Sequence, residues 1–140
     1  MIRALFTAAL ISSGTAFAAE PATTLEATTG VPAEQDACLD HAVRELGMSA
    51  KRVEGERRWT IGPQYLHPSV ARSGTLGVSF EKAADRSTVK VTATWPGGPK
   101  AKDVQPELEE RVRAMAGKLA QICGVVKAEV RCEVNAAPCR

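Results

Sequence analysis

Histidine and the aromatics are scarce: 140 residues include two histidines, two tryptophans, one tyrosine and three phenylalanines. His41 and His67 alone offer little material for general base catalysis or a histidine-rich metal site. Motifs are missing too. No Gly-x-Gly-x-x-Gly, phosphate loop or Gly-x-Ser-x-Gly elbow occurs, and Gly97-Gly98 stands between prolines instead of opening a phosphate-cradling helix. Nor does one sign of charge dominate. Eighteen basic against sixteen acidic side chains give a net charge of +2, no electrostatic reason to expect nucleic acid or an anionic membrane as partner. These absences point away from an enzyme or a cofactor carrier and towards binding.

What is present begins with an export pattern. Arg3 precedes the apolar run Ala4–Ile11, and Ala16-Phe17-Ala18 supplies the small residues of a cleavage site, so residues 1–18 read as a removable signal peptide. The run is far shorter than the roughly 20 residues of a membrane span, and no later segment is long and apolar enough to be one. Cleavage after Ala18 removes Arg3 and leaves a net charge of +1 on a chain of single-domain length. Residues 19–31 are Thr-rich with scattered large apolar groups, and are expected to form a flexible leader. Residues 32–140 should form the domain.

All four cysteines, Cys38, Cys123, Cys132 and Cys139, lie in that domain. An even number in an exported chain reads as disulfides. Residues 125–134 alternate like a strand, which would carry Cys132 more than about 20 Å from Gly124 and exclude a Cys123–Cys132 bridge. Cys38–Cys123 with Cys132–Cys139 is the favoured pairing, and Cys38–Cys132 with Cys123–Cys139 the alternative. A metal site on Cys38-x-x-His41 is the competing use, but Cys132 and Cys139 do not form the second tight pair that zinc prefers.

Helical spacing of Cys38, Leu39, Ala42, Val43 and Leu46 predicts a helix over 33–46, stopped by Gly47. The stripe Leu108, Val112, Met115, Leu119 and Ile122 predicts a second, capped by Asp103 or Gln105, with Pro106 in its first turn and Gly124 as terminator. Strands are expected at 53–61, with a possible bulge at Gly55, at 75–81, at 88–95 and at 125–134, and an irregular loop at 62–74. The expected fold is a small single α+β domain. A mainly antiparallel sheet, a three-strand meander plus the C-terminal strand, carries two helices on one face.

Such a domain suits a periplasmic or secreted interaction protein of inhibitor, immunity or envelope-assembly type, whose partner is another envelope or secreted protein. Arg57, Arg58 and Trp59 combine charge with an aromatic and are the candidate partner contacts. The sheet's polar face, with Thr75, Ser79, Thr88, Lys90, Thr92 and Thr94, is a second candidate. A small-ligand or metal binder built on the Cys38/His41 helix or the 62–74 loop is the alternative.

Overall fold

In the chain's first stretch of threonines, β-branching favours an extended backbone. The computed structural model describes residues 22–32, 36–52, 57–62, 65–70, 73–82 and 86–140, and there β1 (Thr23–Pro32) is a ten-residue strand deep in the sheet. The expected leader is thus corrected from Thr23 onward. Leu25, Ala27 and Val31 point into the core, while Thr24, Glu26, Thr28 and Gly30 take the other face. The proposed signal peptide, residues 1–18, lies outside the described residues.

Seven antiparallel strands follow the order β2-β3-β4-β5-β1-β6-β7. The others are β2 (Ala50–Arg52), β3 (Arg58–Ile61), β4 (Thr75–Lys82), β5 (Arg86–Trp95), β6 (Arg131–Val134) and β7 (Ala137–Pro138). The strand expected over 53–61 is instead the second arm of a hairpin, with Arg52 opposite Trp59; Gly55 and its suggested bulge lie outside the described residues. The strand expected over 125–134 is strand only from Arg131, because residues 125–130 leave the sheet. Val130 turns instead towards α2 (Pro99–Ile122), where a Cβ on Gly117 would meet its methyl at 3.7 Å.

Both helices pack on one face, as their stripes require. Leu39, Ala42 and Val43 of α1 (Asp36–Glu45) and Leu108, Val112, Met115 and Leu119 of α2 are buried against the inward side chains of the sheet. Among these are Trp59, Val78, Phe80, Val91 and Trp95. Each helix stops on the glycine expected of it. Gly47 (φ 69°) and Gly124 (φ 93°) adopt positive φ. Met48 then bonds the Val43 carbonyl and Val125 the Ala120 carbonyl, closing the last turn of each helix in the same way. The start of α2 is corrected. Pro99, not Asp103 or Gln105, opens the helix after Gly98, and Pro106 lies inside it. Pro106 is exposed, so water can stand in for the N–H it lacks.

The loop before β4 is anchored. Leu66 and Val70 are buried, Tyr65 donates to the Gly47 carbonyl and Arg111 to the Leu66 carbonyl. Two disulfides complete the framework in the favoured pairing. Cys38–Cys123 joins the helices with Cα atoms 5.6 Å apart, and Cys132–Cys139 ties β6 to the tail at 5.4 Å. Between them Asn135 and Ala136, both at positive φ, form the two-residue turn of the β6–β7 hairpin. Asn135 also clasps the start of β1: its Oδ1 accepts from the Thr24 N–H, and its N–H donates to the Thr24 carbonyl, each at 2.8 Å. No helix among the described residues is long and apolar enough to cross a membrane.

Candidate binding surfaces

Strand alternation decides where Arg57, Arg58 and Trp59 go, and it separates them. Trp59 is 2 % exposed. Its indole donates to the Asp40 carboxylate of α1 and its ring lies under Arg52, whose guanidinium carbon is 5.5 Å from the ring centre. It is therefore a core residue that holds helix to sheet and has no surface to offer a partner. Arg57 is half-buried, with its guanidinium over Phe80 at 5.7 Å. Only Arg58 faces outward, on the side of the sheet opposite the helices. The three residues read together in the sequence thus belong to different environments.

The metal alternative loses its thiol. Cys38 is bonded to Cys123 and has no thiolate to give. His41 is exposed and paired with Glu45 at 3.3 Å. His67 holds its loop to α2, accepting from the Ser69 N–H at Nδ1 and approaching Glu107 at 3.2 Å through Nε2. Neither histidine meets the other, and no cluster of three metal-ligating side chains occurs among the described residues.

Polar side chains, short threonines and serines interleaved with charged ones, cover the outward sheet face. Across the strands run Thr60, Gly77, Thr92 and Glu26, and beside them Arg58, Ser79, Lys90, Thr28 and Arg131. Lys90 is braced between Glu26 and Glu81 at 3.9 and 3.5 Å. Since Gly77 has no side chain, a furrow of about 440 Å³ opens above it between β3 and β5, flanked by Arg58, Thr60, Thr75 and Thr92. Compared with protein-family models, curated proteins and solved structures, the chain matches none.

A second concavity, of about 760 Å³, lies at the far end of the same face. It exists because β1 outruns β6. The β1–β6 ladder ends at Thr28 opposite Arg131, while β1 continues to Pro32 beside β5. Thr28, Thr29 and Gly30 line one side with Arg86 and Thr88 of β5, and Val125, Lys127, Glu129, Val130 and Arg131 line the other. Sequence reasoning missed this cleft. Lys127, Glu129 and Arg131 share one face of the strand expected over 125–134, but β1 is expected from the sequence to be a leader outside the domain, and only its register brings Arg86 beside them.

Proposed function

We propose that this chain is an exported, non-catalytic interaction protein of the cell envelope or secreted space, and that it takes another protein on the sheet face that neither helix covers. The observation that carries this is the one-sided architecture. A seven-stranded sheet buries one face under α1 and α2 and leaves the other as a broad polar surface with a furrow over Gly77. Its short threonine and serine side chains lose little rotamer freedom on contact. Two disulfides are the covalent framework of a chain that works outside the reducing cytoplasm, where partners would be envelope or secreted proteins.

Photo-crosslinking in the producing cell tests it. Benzoylphenylalanine placed at Ser79 or Thr92 on the outward face should give a discrete adduct with another protein. At exposed Arg113 on α2 it should give none. Adducts of equal yield from all three positions, or none from the sheet positions, would overturn the proposal.

A further inference from the structure

Strand β1 has one complete edge and one half-complete edge. On the β5 side its whole length is paired, from Thr23 opposite Trp95 to Pro32 opposite Arg86. On the other side pairing stops at Thr28. Alternate residues of an antiparallel strand direct N–H and C=O to the same edge. Thr24, bonded through both groups to Asn135, fixes which set faces β6. Counting on by twos, Gly30 turns its N–H and C=O to that side, beyond the end of the ladder and into the 760 Å³ cleft. A Cβ on Gly30 would meet nothing within 4 Å. The strand therefore offers an approachable donor and acceptor with no side chain in the way.

The surroundings are cationic. Arg86, Lys127 and Arg131 line the cleft with Glu129 as the one carboxylate, and none of the three cations forms an ion pair among the described residues. An exposed apolar side chain, Val126 at 97 % exposure, stands next to them in the chain. We infer that this cleft takes an extended acidic peptide segment of the partner. The segment adds as a short strand to the Gly30 edge of β1 and sets alternate carboxylates against Arg86, Lys127 and Arg131. A peptide fits better than a lone anion because the edge presents an acceptor as well as a donor, and a backbone satisfies both whereas an anion can only accept. The acidic character follows from the surplus of two positive charges, which also speeds encounter.

This inference rests on the chain being an interaction protein, so its test must fail separately from that reading. The probe is a fluorescein-labelled hexapeptide alternating glutamate with valine, added at low salt to the disulfide-bonded protein and followed by fluorescence anisotropy. Saturable binding is expected. Arg86→Glu, Lys127→Glu or Arg131→Glu should each weaken it about tenfold, Glu129→Gln should tighten it, and Arg113→Glu on α2 should leave it unchanged. Methylating alternate backbone nitrogens of the peptide, with all charges kept, should abolish binding. Equal affinity for the methylated peptide or for a lysine-substituted one would overturn the inference. So would displacement by inorganic phosphate or anionic vesicles as effective as by unlabelled peptide, since bare electrostatics would then suffice. If no peptide binds while Ser79 and Thr92 still yield adducts, this assignment alone is wrong. If the adducts are missing too, the interaction role falls with it.

Discussion

The two disulfides close loops of very different length, and their removal should separate accordingly. Cys38 and Cys123 are 85 residues apart, Cys132 and Cys139 only 7. Loop-closure entropy then gives about 4.5 kcal/mol for the first bridge and about 2.5 kcal/mol for the second. Paired substitutions by alanine, Cys38→Ala/Cys123→Ala and Cys132→Ala/Cys139→Ala, avoid burying a hydroxyl where Cys123 and Cys132 now pack. The quantity to follow is the urea midpoint by tryptophan fluorescence, since Trp59 and Trp95 are both buried. At an m-value of about 2 kcal/mol/M, the helix–helix variant should lose about 2 M in midpoint and the tail variant about 1 M. A domain of this size has only about 5–15 kcal/mol to lose, so the first variant should approach marginal stability at 37 °C. A tail variant as damaged as the helix–helix one, or a helix–helix variant indistinguishable from the parent, would refute the loop-entropy reasoning.

Other perturbations have equally definite outcomes. Ala136→Gly should stabilise by about 1 kcal/mol in the same urea assay, because Ala136 is held at φ 64° in a turn where glycine carries no Cβ penalty. Gly74→Ala should cost about 2 kcal/mol or more. Its Cβ would stand 2.6 Å from the Leu66 side chain and 3.0 and 3.1 Å from the Val70 and Thr94 carbonyl oxygens, and backbone cannot step aside. Deleting Thr23–Val31 should abolish cooperative unfolding altogether, because it removes a strand paired on both sides; a truncated protein with a parent-like melting transition would contradict that position for β1.

Where the sequence was legible, one physical signal was strong and local. The α2 stripe, the alternation of Leu76, Val78 and Phe80 against Val89, Val91 and Ala93, and the glycines closing each helix all report short-range geometry, and each sits where it was expected. Illegible parts depended on distant pairing. Thr23–Pro32 has alternation too, but its inward set includes Ala27 and Thr29, too small or too polar to mark a core strand. Only ladders to β5 and β6 make it one. Residues 125–130 show the converse: the pattern of a strand without the pairing, because Val130 turns to α2 instead. Trp59 looked like a contact residue because tryptophan beside arginines suits interfaces as well as cores. Its partner Asp40, nineteen residues away, decided the matter. The cationic cleft needed two of these outcomes at once, β1 inside the sheet and residues 125–130 outside it.

The position of β1 carries a consequence for how the molecule comes into being. Its neighbours in the sheet begin at Arg86 and Arg131, so β1, made before both, gains its first partner once β5 is complete at Trp95 and its second only when β6 is complete at Val134. Contacts at such separations form slowly. The β1–β6 ladder therefore closes after the β1–β5 ladder can, and the clasp of Asn135 on Thr24 closes with it.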